Sequence, residues 1–365
     1  MLNNFKFSVH KVWAIGLFLG LSALAIHHFG NPQWIERVYG KGIFPMMRLL
    51  LDETVGRIPF AMSWLVFPGL VAGLLLILYK FFAGADHIAT RGLSLILRMA
   101  GYAGWIIFVF YSFWGFNYDR LTLDERMPWK ANPVEKNDFI AECIQQASTL
   151  SSIRTEEEKL IDHLTQSFDF DELEMQIRSQ ACDIAAILGY TSKGRMQCRQ
   201  LIPDGILLRL STAGFYNPFT GECNIDRALH PLQKPFVMAH EFFHALGVTG
   251  EGDCNFLAYV LCSTSQDPFT RYSGELVYWR YLRRQFQHTD PDSFDKTMEG
   301  MNQLVHEDLR QMDEQIRKYP DFAPRFRDAF YDAYLKSNKI EEGMANYRKI
   351  VQLVINWREN QRELN

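Results

Sequence analysis

The sequence has little excess charge of either sign. Among 365 residues, 38 are lysine or arginine and 42 are aspartate or glutamate, which leaves a formal net charge of -4. A nucleic-acid-binding domain usually carries a basic patch or stripe, and this chain has no such stripe. We therefore expect no DNA or RNA partner, and composition alone names no function.

The sequence also has no CxxC pair among its cysteines, no internal repeat and no low-complexity tract. All of the cysteines follow residue 116, and they are Cys143, Cys182, Cys198, Cys223, Cys254 and Cys262. They permit disulfides if this part of the chain faces an oxidising compartment. Buried free thiols are the alternative in a domain of this size, and both interpretations stay open.

Charged residues are scarce in three long apolar runs, all of which lie before about residue 116. About 20 apolar residues in a helix cross the hydrocarbon core of a bilayer. We therefore predict membrane spans near residues 12–29, 58–80 and 94–114. The first run ends in His27 and His28, and a cleaved signal peptide is its alternative; without a small-x-small cleavage site, an uncleaved anchor is favoured.

This distribution predicts a membrane region over residues 1–116 and a soluble domain over residues 117–365. The lipid bilayer is then one partner of the chain. Lysine and arginine are slightly more frequent on the flanks that lie inside if the N-terminus is inside. We accordingly expect a multi-pass membrane protein whose C-terminal domain is extracytoplasmic.

The sequence pattern of the soluble part predicts mainly helices and one short sheet region. A capping box from Thr155 to Glu158 predicts a helix start, and Gly189 predicts a helix end. The runs "GILLRLS" and "ECNIDRAL", between residues 201 and 233, predict strands. Helices are expected again from Pro235 onward, including one over Pro291 to Arg317 and a last one in "IEEGMANYRKIVQLVINWREN".

The segment "KPFVMAHEFFHALG", Lys234 to Gly247, combines an apolar helix with ionisable groups. Between Phe236 and Leu246 the polar side chains are those of His240, Glu241 and His244. Because uncompensated burial of such groups is costly, they are usually paired or bound to a metal. His240 and His244 are four residues apart and share one helix face, so both imidazoles can reach one ion. HExxH thus predicts two zinc ligands and a carboxylate, Glu241, that deprotonates a zinc-bound water.

A catalytic zinc site needs a third protein ligand. In the pattern HExxHxxGxxH, Gly247 fits but Gly250 occupies the place of the third histidine, which excludes that subclass of metalloproteases. The following segment, "GEGDCNFLAYVLC", offers Glu251 and Asp253. We predict Asp253 as the ligand, with Glu251 as the alternative; either acid would otherwise serve as a helix cap or first-turn acid.

Metalloproteases of this type also need a hydrogen-bond donor for the developing oxyanion. Tyr272 is the candidate that we select, and Arg271 and Tyr216 are further candidates. A purely structural role is the alternative for each of them and is favoured for each residue taken singly.

Several segments together resemble a known family. They are "WGFNYDR", "GFYNPFTGECNID", "PFVMAHEFFHALG", "DCNFLAYVLC", "RYSGE" and "YLKSNKIEEGMANYRKIVQLV". With the three N-terminal spans, they resemble the uncharacterised bacterial membrane family known as domain-of-unknown-function 3810.

This resemblance implies a zincin-like α+β domain of the HExxH type, outside the membrane and behind three transmembrane helices. Members of the family usually have glutamate at the position of Asp253, so the shorter acid of this chain implies a closer helix or a weaker metal site. The family has no established substrate.

We therefore expect a membrane-anchored zinc hydrolase, most simply a metallopeptidase acting on a peptide or protein, in a bacterial cell membrane. The strand expected at Cys223 to Asp226 is a candidate for pairing with an extended peptide substrate. A non-catalytic receptor or scaffold organised by zinc is one alternative. Hydrolysis of a non-peptide amide of the cell envelope is another and would use the same site.

Overall fold

A computed structural model describes residues 2–84, 87–192, 194–322 and 346–364. Over these residues the chain is mostly helical with one small sheet of three strands, as the sequence predicts.

The α-helices of the described residues are numbered along the chain. They are α1 (Leu2–Phe29), α2 (Pro32–Ile35), α3 (Phe44–Thr54), α4 (Ser63–Phe82), α5 (Ile88–Phe113), α6 (Leu123–Arg126), α7 (Lys136–Glu156), α8 (Glu158–Ser167), α9 (Phe170–Ile187), α10 (Lys234–Ala245), α11 (Glu251–Ser263), α12 (Pro268–Thr289), α13 (Pro291–Gly300), α14 (Gln303–Arg317) and α15 (Asn346–Leu364). The strands are β1 (Cys198–Leu201), β2 (Gly214–Asn217) and β3 (Glu222–Asp226). A π-helix, Glu36–Ile43, joins α2 to α3.

The chain forms two compact units. The first comprises Met1–Leu121, Lys193–Arg195 and Asn217–Glu222, and the second comprises Thr122–Ser192, Met196–Tyr216 and Cys223–Asn365. The sequence-based division stays a prediction: it gives a membrane region over residues 1–116 and a soluble domain over residues 117–365.

Three helices of the first unit are long and apolar enough to cross a membrane. They are Lys11–Phe29, Ser63–Phe82 and Ile88–Phe113. Each overlaps one of the spans expected from the sequence. Pro68 lies inside the second helix, where the helix continues through it.

Glycines allow α1 and α5 to approach each other closely. A methyl carbon at Gly104 would lie 2.2 Å from the carbonyl oxygen of Gly16, and one at Gly101 would lie 2.3 Å from the carbonyl oxygen of Trp13. Small residues at a helix contact let backbones pack against each other, which is a common arrangement within membranes.

Buried ion pairs connect "WGFNYDR" to the rest of the first unit. The guanidinium of Arg120 donates to both carboxylate oxygens of Glu36, at 2.8 and 3.0 Å. His27 at the end of α1 is hydrogen-bonded to Asp119 at 2.8 Å. Charged groups that are buried in such a setting are expected to be paired, as they are here.

The sheet has the order β1-β3-β2, and β1 is parallel to β3. The register pairs Cys198 with Cys223 and Leu201 with Asp226. Because β3 lies between the other two strands, both of its edges are occupied. The expectation that Cys223 to Asp226 binds an extended peptide by strand addition is therefore wrong.

The run "GILLRLS" is not a strand, contrary to the sequence prediction. It contains a short 3-10 turn, Leu208–Leu210, and ends at Ser211 with a φ of 51°. The buried carboxylate of Asp226 accepts hydrogen bonds from the backbone amides of Gly205, Leu207 and Leu208. These bonds replace the backbone hydrogen bonds to a neighbouring strand that a β-strand would make. The observed strands lie before the run, as β1, and after it, as β2 and β3.

Helix α10 lies at the centre of the second unit, where it packs against α9, α11 and α12; α11 in turn packs against α15.

Two helix boundaries differ from those that the sequence predicts. Thr155 lies within α7, where its hydroxyl donates to the carbonyl of Ser151, so it caps no helix. The expected helix over Pro291 to Arg317 is divided at Asn302, whose side chain caps α14. The Gly189 helix end is confirmed, with a φ of 72°.

All six cysteines are free thiols. Five are buried and Cys182 is partly exposed. Of the two interpretations that the sequence left open, the structure therefore has free thiols.

Candidate functional site

Helix α10 carries the HExxH segment through the interior of the second unit. Pro235 occupies the first turn, where a proline costs no hydrogen bond and its fixed φ suits a helix. The apolar residues around the helix are nearly all buried, as the continuous apolar pattern predicts. Glu241 is 3% exposed and His244 is 8% exposed, so both ionisable side chains lie in a largely apolar environment.

A glycine turn ends α10 and brings the chain back toward His244. Gly247 has a φ of 95°, a left-handed conformation that favours glycine. The amide of Gly247 donates to the carbonyl of His244 and the amide of Val248 donates to the carbonyl of Phe243, the pattern of a Schellman motif. As a result, the carbonyl oxygen of Val248 lies 2.9 Å from Nδ1 of His244.

The contact with Val248 determines how His244 presents its ring. A carbonyl oxygen only accepts, so Nδ1 of His244 carries a proton in this contact, and Nε2 is the ring nitrogen that is left to bind a metal once it is deprotonated. Metal-bound histidines typically have such a partner on the other ring nitrogen. The thiol of Cys254 also lies near this nitrogen, with Sγ 3.3 Å from Nδ1.

Three side chains with metal-binding groups converge beside this helix. Nε2 of His240 lies 3.1 Å from Nε2 of His244. The carboxylate of Glu251, at the start of α11, has Oε2 3.3 Å from His240 Nε2 and Oε1 3.7 Å from His244 Nε2. Among the described residues, these three form a group whose ligand atoms all lie within 4.8 Å of one another, and such a group could hold a metal ion.

Asp253, the ligand expected from the sequence, has a different environment. Its Oδ1 lies 2.7 Å from Nζ of Lys349 on α15. Consecutive helix positions differ by about 100°, so residues 251 and 253 of α11 face nearly opposite directions. The structure thus brings Glu251, the alternative of the sequence analysis, to the two histidines, and places Asp253 against a lysine.

Glu241 lies in the interior next to this cluster. Burial raises the pKa of Glu241 to about 7, although the neighbouring imidazoles of His240 and His244 act in the opposite direction. Its Oε2 has no hydrogen-bond partner among the described residues. For Glu251 the balance is reversed: burial favours the neutral acid, but the same two imidazoles outweigh it and hold the pKa of Glu251 well below its usual range.

The sheet lies directly against the carboxylate and backbone of Glu241. A methyl carbon at Gly214 of β2 would lie 2.8 Å from Oε1 of Glu241. The thiol of Cys223 on β3 donates to the carbonyl oxygen of Glu241 at 3.2 Å. The position of the Glu241 side chain thus depends on both strands.

The expected oxyanion donor, Tyr272, has its hydroxyl engaged elsewhere. It is fully buried on α12 and donates to Oδ2 of Asp308 at 2.6 Å. Arg154 donates to the same oxygen at 2.8 Å. Burial, together with the adjacent carboxylate, raises the pKa of Tyr272 well above its usual value.

Sequence reasoning did not identify three contributors to this site. Val248 contributes its backbone carbonyl, a group that every residue has, so no residue type in the sequence indicates it. In the sequence, Gly214 indicates only a turn, as glycines between short strands commonly do. Lys349 is about a hundred residues from the motif, and only the packing of α15 on α11 brings it close.

Comparison with known proteins places the chain in one family. The family model described as "Protein of unknown function (DUF3810)" matches residues 39–355. No curated protein and no solved structure matches the chain. The chain belongs to this family of unknown function, DUF3810.

Proposed function

We propose that the chain is a membrane-anchored, zinc-dependent hydrolase of zincin type, most simply a metallopeptidase. The observation that carries the proposal is the convergence of His240, His244 and Glu251, with the buried carboxylate of Glu241 beside them. In zinc hydrolases an HExxH segment supplies two histidine ligands and the general-base carboxylate, and here Glu251 of the next helix adds a third donor.

The three donors fit zinc in chemistry and spacing. Zinc is bound by imidazole nitrogen and carboxylate oxygen at about 2.0 to 2.2 Å, and its sites are tetrahedral. Neighbouring ligand atoms of such a tetrahedron are about 3.3 to 3.6 Å apart. The two Nε2 atoms are 3.1 Å apart, and the Glu251 carboxylate lies 3.3 Å from His240 Nε2 through Oε2 and 3.7 Å from His244 Nε2 through Oε1, so the three groups lie at about this spacing. His240, His244 and Glu251 would therefore hold the ion, and three protein ligands leave one position open, as in catalytic sites.

Zinc, when bound, supplies Lewis-acid polarisation of the carbonyl group and activation of water. The chain's own groups have separate roles. His244 presents Nε2 because its Nδ1 donates to the Val248 carbonyl. Side-chain exposures of 13% for His240 and 30% for Glu251 make the cluster reachable from solvent.

Glu241 is the proposed general base. A water oxygen forms a bond to the carbonyl carbon of the scissile amide while the Glu241 carboxylate accepts the proton. The C–N bond then breaks, and Glu241 gives the proton to the leaving amine nitrogen, so the products are a carboxylic acid and an amine. A pKa raised by burial to about 7 suits a group that accepts and returns a proton near neutral pH.

The three apolar helices support a position in the bacterial cell membrane. We propose that they cross the bilayer, with the second unit on the extracytoplasmic side. Labelling of cysteines with a membrane-impermeant thiol reagent, in intact cells and in opened cells, would test this topology.

The test of the proposed function uses the full-length chain purified in detergent. Elemental mass spectrometry should find one zinc per wild-type chain, and both His244→Ala and Glu251→Gln should lose it. His306→Ala is the matched control, since that ring nitrogen contacts the carbonyl of Met298 on another part of the unit. Glu241→Gln should retain zinc and lose hydrolysis of a peptide library by about a hundredfold or more.

The outcomes separate the alternatives. Zinc in the wild type with no hydrolysis of peptides or of cell-envelope amides would support a zinc-organised receptor or scaffold instead. Undiminished hydrolysis in Glu241→Gln would remove the proposed mechanism. A folded wild type that takes up no zinc would mean that the two histidines and Glu251 simply pair within the unit.

A further inference from the structure

A salt bridge connects the last described helix to the helix that carries Glu251. Nζ of Lys349 on α15 lies 2.7 Å from Oδ1 of Asp253 and 3.4 Å from Oδ2 of Asp124 on α6. The side chains of Lys349 and Asp253 are 26% and 10% exposed. Ion pairs that are this far from bulk solvent are screened less than surface pairs.

Asp253 also contacts the residue that begins α11. A methyl carbon at Gly250, the N-cap of this helix, would lie 2.5 Å from Oδ2 of Asp253. The Asp253 carboxylate therefore lies close to Gly250 as well as to Lys349.

The geometry of a helix links this ion pair to the histidine cluster. Glu251 and Asp253 are separated by about 200° around α11. When Lys349 holds Asp253 on one side of the helix, Glu251 is held on the other, where its carboxylate lies 3.3 Å from His240. A rotation of the first turn would move both carboxylates together.

We propose that Lys349 is a positioning residue for the metal site: by pairing with Asp253 it fixes the orientation of α11 that presents Glu251 to His240 and His244, so that α15 controls the metal affinity of the cluster. This inference rests on the proposed function. Partners that orient metal ligands in this way typically contribute about 10 to 100-fold in metal affinity.

The proposal predicts the sign of an effect as well as its size. Removing the lysine charge frees the first turn of α11, and zinc affinity falls. If Asp253 were itself the third ligand, removing Lys349 would release its carboxylate toward the metal, and zinc affinity would rise. The two assignments of the third ligand thus predict opposite changes.

The experiment measures zinc affinity of the full-length protein in detergent, by competition with a chelator. Lys349→Met should weaken zinc binding about tenfold or more, and Lys349→Arg should restore it to within about threefold of the wild type. Arg283→Met is the matched control, because it removes a partly exposed ion pair with Asp313 of the same unit and should leave zinc affinity unchanged. Thermal unfolding of the metal-free proteins is recorded in parallel.

Each outcome is decisive. Equal zinc affinity in Lys349→Met and wild type overturns the positioning role, as does a fall in thermal stability of the metal-free protein without a change in affinity. Tighter zinc binding also overturns it and indicates Asp253 as the ligand. If Lys349→Met does not fold, Lys349→Gln is measured under the same criteria. If the wild-type protein does not bind zinc, the proposed metal site itself is wrong. If the wild type binds zinc and Lys349→Met binds it equally well, only the positioning role of Lys349 is wrong.

Discussion

Gly214 on β2 and Glu241 on α10 are packed so closely that no side chain fits between them. A methyl carbon at residue 214 would lie 2.8 Å from Oε1 of Glu241 and 2.8 Å from the carbonyl oxygen of Asn224. The carboxylate of the proposed general base is thus in contact with the backbone of a strand, and the absence of a side chain at 214 sets its position.

Gly214→Ala should therefore displace Glu241 or β2 by a few tenths of an ångström. A catalytic group that is misplaced on this scale loses much of its effect, and we expect a fall in turnover of about 10 to 100-fold with zinc content unchanged. The measurement is steady-state hydrolysis with zinc analysis of the same samples. Gly300→Ala is the control, since no heavy atom lies within 4 Å of the added carbon. Unaltered turnover in Gly214→Ala would contradict this assignment.

Tyr272 should behave as a structural residue. Its hydroxyl donates to Asp308, which also accepts from Arg154, and the three side chains are buried. Tyr272→Phe should lower the free energy of unfolding by about 1 kcal/mol, because Asp308 keeps its arginine partner. Turnover should be unchanged. A hundredfold loss of turnover at unchanged stability, the result expected for an oxyanion donor, would show that the hydroxyl acts on the substrate.

The pKa of Glu241 predicts how the stability of the metal-free protein depends on pH. Burial raises this pKa from 4.5 to about 7, so the folded state binds the proton more tightly than the unfolded state does. The corresponding stability is fully present below pH 4.5 and is lost as pH rises through about 7.

Urea unfolding of chelator-treated protein, from below pH 5 to pH 8, measures this effect. The difference in unfolding free energy between wild type and Glu241→Gln should fall by up to about 3 kcal/mol as pH rises through this range. The variant lacks this titrating group, whereas the other ionisable groups are common to both proteins. A pH-independent difference would show that the pKa of Glu241 is the same in the folded and unfolded states, and it would contradict this prediction.

Asp226 should be important for stability although its described hydrogen bonds go to backbone amides outside the histidine cluster. Its carboxylate, fully buried, accepts hydrogen bonds from four backbone amides, those of Gly205, Leu207, Leu208 and Ala228. In Asp226→Asn an amide NH2 group would face some of these donors, and we expect a loss of about 2 to 4 kcal/mol in unfolding free energy. Asp204→Asn, in an exposed ion pair with Arg227, is the control and should change stability by about 0.5 kcal/mol or less. Equal effects of the two substitutions would contradict this role.

The elements that follow from local pattern were predictable. The three apolar runs are helices because their length and composition suit a helix that buries its backbone polar groups. Helix α10 follows from its continuous apolar sequence, Pro235 and Gly247. "GILLRLS" was mispredicted because its amides bond to the distant carboxylate of Asp226, which no local pattern reveals.

At the candidate site, the sequence by itself determined the pair His240 and His244 and the adjacent Glu241, because a four-residue spacing on a helix places side chains on one face whatever surrounds them. Only the tertiary structure shows that Glu251 lies beside the two histidines and that Asp253 lies against Lys349. The two acids are two residues apart in one helix, so their directions depend on how α11 is rotated against its neighbours. Helix α11 packs against α10, α12 and α15, and Asp253 pairs with Lys349; these contacts between distant parts of the chain exist only in the folded protein.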